Sequence, residues 1–416
     1  MIKKIIISAC LLFSIVIFAQ EGTSSPYSIY GIGDVRFKGT ADIQSMAGIA
    51  VEQDSIHINL GNPASFSNLK LTTFATGFTY ATKKLKEGTE TASTRRTTLD
   101  YLAVGLPIGK LGVGFGLIPY SSVGYKIENF STDSDPYNRR FSGSGGMNKA
   151  FVGFGYKIAP SLSIGADANY NFGKIETSSI EIINGVSSGT RELNEANLSG
   201  VNFNIGAMYQ AKINKKLNFF SSVNYTIESD LTSKNTRNIA TVLYNSDFEV
   251  SSVDLLDEQS GERVLRLPSK LSVGAGIGES RKWLLGGQVV MGSIGDLNNS
   301  YNTTSNVSYE KSIKYSLGGY YIPSYNSFTS YAKRIVLRAG LQFEQTGLVV
   351  DSESINDMGV TFGLGFPIQG TFSNINLGFD LGKRGTTNSG LVQENYMNFR
   401  VGFSFNDKWF EKRKFN

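Results

Sequence analysis

The 416-residue chain has one cysteine and one histidine, and each scarcity removes a class of chemistry. Cys10 lies in an amino-terminal apolar run with no small-residue lipobox around it. Once that run is removed no thiol is left, so neither a disulfide framework nor a cysteine metal site is expected. His57 sits in an irregular segment and reads as a solvent or turn histidine. The sequence shows no hydrolase elbow, phosphate loop or zinc spacing, so no enzyme, cofactor or metal is expected. Asp254, Asp257 and Glu258 lack the spacing of a calcium loop. Beyond Phe18 no apolar run is long enough for a membrane helix. Charge of one sign is also scarce. Removing Lys3 and Lys4 from the net +5 leaves +3, which points to no nucleic-acid partner.

What is present begins with a leader. Lys3 and Lys4 precede an apolar run from Ile5 to Phe18, then Ala19 and Gln20, which reads as a cleavable secretory signal over residues 1–20. Near the other end, Met397, Phe399, Val401, Phe403 and Phe405 alternate with Asn398, Arg400, Gly402 and Ser404. A strand turns alternate side chains to opposite faces, so this segment separates hydrocarbon from something wet. The pattern recurs about fourteen times between residues 69 and 405, giving an all-β, closed antiparallel transmembrane β-barrel in the outer membrane of a Gram-negative bacterium. Tyr80, Tyr170, Tyr225 and Phe405 stand where interfacial girdles belong. A soluble sandwich would carry far more charge on its exposed faces.

Residues 21–68 lack sustained alternation and read as a plug, and residues 406–416 as a basic tail. Short turns, such as 107–110 and 159–161, interleave with long polar loops, the longest from Ser229 to Pro268. Pro119 interrupts the third strand and predicts a bulge or break, because proline donates no ladder hydrogen bond. Lys314, Arg338, Asp380 and Arg400 fall on wet faces of neighbouring strands. A lipid-facing charge costs about 2–4 kcal/mol at mid-membrane, so inward placement is expected. They read as a salt-bridged network bracing the plug, or with Arg338 or Arg400 holding a ligand carboxylate.

The segment from Gly31 to Asn68 has Asp54 and Ser55 followed by the triplet Asn62, Pro63, Ala64. In this frame it resembles the amino-terminal hatch of the FadL family of outer-membrane transporters, which includes a PorV-like subgroup. Met46, Ala47 and Gly48 depart from the family's usual glycine pair. The resemblance implies a fourteen-stranded barrel with the hatch in its lumen. It also implies passive uptake of a hydrophobic small molecule, such as a long-chain fatty acid, with Pro119 as a possible gap in the wall and outer-membrane lipid around it. Some barrels of this kind carry nothing and serve as subunits of protein secretion or assembly complexes. The apolar residues Leu243, Leu255 and Leu256 suit a lipid funnel or a docking face equally. Asn62 and Pro63 also serve simply to fix the turn into the first strand.

Overall fold

The structure is a computed structural model that describes residues 23–35, 39–132, 135–244, 250–294 and 306–409. The expected signal, Cys10 with it, and residues 410–416 of the basic tail lie outside these residues.

One sheet holds eighteen strands, all joined by antiparallel pairs. They are β1 (Asp34–Val35), β2 (Thr72–Glu87), β3 (Glu90–Ile108), β4 (Leu111–Asn129), β5 (Tyr137–Ala159) and β6 (Leu162–Ile183). Next come β7 (Ser188–Lys212), β8 (Asn218–Thr226), β9 (Ser229–Tyr244), β10 (Val250–Leu267), β11 (Lys270–Glu279) and β12 (Trp283–Gly292). The last are β13 (Val307–Tyr309), β14 (Ser312–Tyr321), β15 (Val336–Val350), β16 (Glu353–Pro367), β17 (Asn374–Arg384) and β18 (Gln393–Asp407). β18 pairs with β2 from Asp407↔Thr72 to Gln393↔Lys86, so the sheet closes on itself. β1 pairs with β4 from inside, at Asp34↔Ser122 and Val35↔Ser121. β8 with β9, β10 with β11, and β13 with β14 each follow one path along the wall, interrupted for two residues. The wall therefore has fourteen strands, as expected. The interruption between β10 and β11 falls at Pro268, which has no N–H to give the ladder.

The outward stripes lie where alternation places them. On β15, Leu337, Leu341 and Phe343 are exposed, whereas Arg338 and Gly340 between them are buried. On β11, Val273 and Ile277 face out and Gly274, Gly276 and Gly278 face in. Phe74 of β2 and Phe405 of β18 stack across the closing seam with ring centroids 6.4 Å apart. Apolar side chains on this outer face meet acyl chains, so their exposure to solvent probes is expected of a lipid-facing wall.

Two expectations need correction. Ser229–Pro268 is no loop: β9 and β10 pair from Leu267↔Ser229 to Val250↔Tyr244, with bulges near Ser252 and Asp257. The neighbouring strands β5, β6 and β7 likewise extend well beyond the stretches that alternation marks. β5, β6 and β7 run 23, 22 and 25 residues, against 10 for β12 and 11 for β17. Crossing a bilayer takes about 9–11 residues. The excess stands above the membrane on one side of the barrel. Apolar alternation stops where the lipid stops while the hydrogen-bond ladder goes on, so pattern reports the bilayer rather than the strand. The connection 323–333, by contrast, is an irregular excursion at the short-turn end, with one 3-10 turn at Ala332–Arg334.

Candidate functional site in the barrel lumen

Residues 39–71 pack against the inward faces of the wall, and the triplet of the hatch-like frame is the tightest point. Asn62 caps the 3-10 helix Pro63–Asn68, its Oδ1 accepting from Ala64 N at 3.0 Å. Its Nδ2 donates to Ser222 Oγ and Val223 O, both at 3.0 Å, and to Ala207 O at 3.3 Å. One amide thus closes the turn and fastens it to β7 and β8. Pro63 needs no partner for a missing N–H at the first helical position, and Ala64 is fully buried.

The wall accommodates this turn by having no side chains there. A Cβ at Gly112 would lie 1.9 Å from Phe66 O, one at Gly165 2.4 Å from Ala64 N, and one at Gly206 2.1 Å from Asn62 Oδ1. Across the lumen, a Cβ at Gly340 would lie 2.7 Å from Ala47 N, and one at Gly274 2.6 Å from Val51 Cγ1. Ala47 N donates to Thr361 Oγ1 at 3.0 Å, and Ser316 Oγ donates to Ala47 O at 2.8 Å. At Gly112, Gly165 and Gly340 backbone lies directly on backbone, and at Gly206 and Gly274 a side chain of the segment lies on the wall, leaving no room for a ligand between them at these points.

The bracing charges are not the expected ones. At the outer end Arg384 Nη1 meets Asp34 Oδ1 at 2.7 Å, and Lys83 Nζ meets the fully buried Glu394 at 2.8 Å. Ser25 Oγ donates to the same Glu394, and Tyr27 OH donates to Val392 O at 2.6 Å. These contacts tie residues 25–34 to β2, β17 and β18. The four residues expected to form one network are split instead. Arg400 pairs with Asp380 within the wall, and Arg338 Nη1 donates to Asn376 Oδ1 at 2.9 Å. Lys314 stands opposite Glu344 in a different part of the lumen. Inward placement holds for all four, but alternation fixes a face, not a height along the strand.

Pro119 does produce a bulge, with Tyr120 as the extra residue between Pro119↔Asn148 and Ser121↔Met147. The β3–β4 ladder runs only from Ile108↔Leu111 to Leu102↔Leu117, and β1 pairs with β4 just beyond, at Ser121 and Ser122. The cavity inside this seam, about 130 Å³, is bordered by Arg96, Asp100, Asp380 and Arg400 as well as Pro119.

Two larger cavities flank the inner segment. The outer one, about 420 Å³, has a wall side of Asn171, Asn202, Asn204, Asn224, Lys149 and Lys270, facing Ile32, Ile43 and Leu60 of the inner segment. Lys149 Nζ lies 4.5 Å from the Tyr120 ring centroid. The second, about 890 Å³, reaches the short-turn rim at Pro160, Ser161 and Arg281, and Glu52, Asp54, Ser55 and His57 form its floor.

His57 lies in a bend, as the turn reading has it, but it is not a solvent histidine. Its side chain is only 10% exposed, and Nδ1 lies 2.7 Å from Asp54 Oδ2. Asp54 Oδ1 also accepts from Ile56 N at 2.9 Å, and Ser55 O accepts from Lys70 N at 3.0 Å. The Asp54 side chain is 43% exposed at the cavity, yet the wall around it still works to raise its carboxyl; the charge and hydrogen bond of His57 outweigh that and hold it down at about 2. Burial likewise works against the His57 imidazolium, and Asp54 overcomes it and raises its pKa. Glu52 is pushed up to about 7 by burial, against a hydrogen bond from Tyr320 OH at 2.7 Å.

The signs give a pH dependence. Ionising Glu52 costs stability increasingly from its ordinary 4.5 up to about 7. The His57 contribution is full below 6.5 and is lost as pH rises through its raised value. Amide exchange over residues 50–58, corrected for intrinsic rate, should therefore be slower near pH ~5.5 than near ~8.5. The opposite order contradicts the assignment.

The family model BamG matches residues 1–416, the whole chain. The chain belongs to the BamG family. A sequence search of the curated proteins finds no match to this BamG-family chain. Its fold is shared with solved barrels of low identity. The Ralstonia pickettii toluene transporter TbuX is 12% identical with a TM-score of 0.60, covering 88% of this chain and 98% of its own. The Pseudomonas putida toluene transporter TodX is 16% identical with a TM-score of 0.57, covering 91% and 100%. A Pseudomonas aeruginosa FadL homologue is 12% identical with a TM-score of 0.60, covering 90% and 100%. The BamG-family chain thus has a FadL-type barrel fold.

Proposed function

We propose that this protein is a barrel subunit of an outer-membrane protein secretion or assembly complex, exported by its signal and transporting nothing itself. Its amino-terminal segment works as a permanent hatch. The observation that carries this reading is the glycine seating, with backbone of the hatch laid on backbone of the wall around Asn62 and Ala47. The polar side chains that stand among the apolar ones in the outer cavity agree with it. An acyl chain in the outer cavity would strip water from Lys149, Lys270 and four asparagines without offering them a hydrogen bond, which is unfavourable. The one-sided rise of β5 to β7, β9 and β10 above the membrane offers a partner a broad sheet, with Leu255 and Leu256 exposed on it.

A second reading is passive uptake of a hydrophobic small molecule such as a long-chain fatty acid, with Arg338 or Arg400 holding its carboxylate. The shared fold and the bulge at Pro119 favour it. Extraction in a detergent-free polymer followed by native mass spectrometry separates the two. A stoichiometric protein partner with no acyl ligand is expected. One acyl ligand per barrel and no protein partner would establish the uptake reading instead.

A further inference from the structure

The cavity at the short-turn end is strongly basic. Lys70, Lys157, Lys212, Arg281, Arg334 and Arg338 line it, against Glu52 and an Asp54 already paired with His57. The cations come from separate places around the wall: the entry to β2, the ends of β5 and β7, the β11–β12 and β14–β15 turns, and β15 itself. Lys110, Lys215, Lys216 and Lys333 add exposed charge on the turns around its mouth. Low-dielectric walls ringed by one sign of charge focus the field into the opening.

Two details of these side chains bear on what the cavity can bind. Arg281 and Arg334 are propped over the rings of Tyr325 and Tyr331, each 5.1 Å from the centroid, which holds the guanidinium planes in place. His57 Nε2 and Arg334 Nε are buried without a hydrogen-bond partner. A buried donor such as Arg334 Nε left so is costly, and an incoming carboxylate would satisfy it, as it would His57 Nε2 when the ring is protonated.

We propose that this vestibule receives an acidic segment of a periplasmic protein and so docks the barrel to its partner on the periplasmic side. The proposal rests on the complex-subunit reading and names the chemistry of one contact. Polypeptide is favoured over phospholipid because these cations border the lumen together with Asp54 and His57, whereas headgroups meet the outer side of the rim. Cations spread around about 890 Å³ call for several carboxylates on one chain rather than a single anion.

The test uses the full mature chain in zwitterionic nanodiscs, titrated with a synthetic Glu-rich peptide and its Gln counterpart. The Glu peptide should bind, and its affinity should fall about tenfold between about 0.05 and 0.5 M salt. The triple variant Lys70→Glu, Arg281→Glu, Arg334→Glu should lose about tenfold or more while keeping the heat-modifiable migration of a folded barrel. Equal binding of the Gln peptide, or unchanged binding by the triple variant, overturns the proposal. So does displacement of the Glu peptide by anionic phospholipid placed in the disc, which would assign the cations to lipid. In cells, a partner that still co-purifies with the triple variant removes the vestibule and leaves the complex standing. A wild-type barrel that holds no partner removes the reading beneath it.

Discussion

Deletion of residues 23–68 is expected to turn a silent barrel into a steadily conducting pore in a planar lipid bilayer. A fourteen-stranded wall encloses more space than its inward side chains fill, since small barrels of eight strands are filled by side chains and barrels of about 16–18 strands leave an aqueous channel. The inward positions here are moreover often glycine, as at Gly112, Gly165, Gly206, Gly274 and Gly340. Without the hatch those faces have nothing to cover them, and water and ions enter. The seal is held by hydrogen bonds at both ends, from Asn62 to β7 and β8, and from Arg384 to Asp34. The intact protein should therefore show no steady current. Equal conductance of intact and deleted barrels would show that the hatch does not occlude.

The second large effect is expected at Arg400 and Asp380. Both are inward, with side chains 15% and 5% exposed. Removing one partner of a buried ion pair leaves a charge with nothing to offset its lost hydration, at a cost of about 3–5 kcal/mol. Asp380→Asn should thus lower the unfolding free energy in urea by about that amount. The double variant Asp380→Asn, Arg400→Met should recover most of the loss, because two uncharged neighbours have no such penalty. Equal destabilisation by the single and double variants would show that the pair contributes through packing rather than charge.

The wall was far more legible in the sequence than its contents. Within the bilayer one face of each strand must be apolar, so Leu337, Leu341 and Phe343 announce β15 and its inward Arg338 without further help. Above the bilayer that constraint ends. β9 and β10 consequently read as a loop, although their ladder continues to Tyr244 and Val250. The brace at Asp34, Arg384, Lys83 and Glu394 was hidden because its partners lie hundreds of residues apart and alternation says nothing of height. Of the two readings of His57, turn or solvent, the second fails for a related reason: an irregular segment reads as exposed, and only the surrounding wall covers its side chain. One signal was available and unused. Glycines on inward positions of β4, β5, β6, β14 and β15 mark where another backbone lies against the wall.

The account stands on a hatch that never leaves its seat. A disulfide across that seat tests it, at Val51→Cys with Gly274→Cys, where a Cβ on Gly274 would lie 2.6 Å from Val51 Cγ1. The only native cysteine, Cys10, is in the expected signal, so no other thiol competes. The oxidised, cross-linked barrel is predicted to complement a deletion strain and retain its partner as fully as the wild type does. Loss of complementation on oxidation, restored by a reductant, would mean that the hatch must move, and would contradict the account.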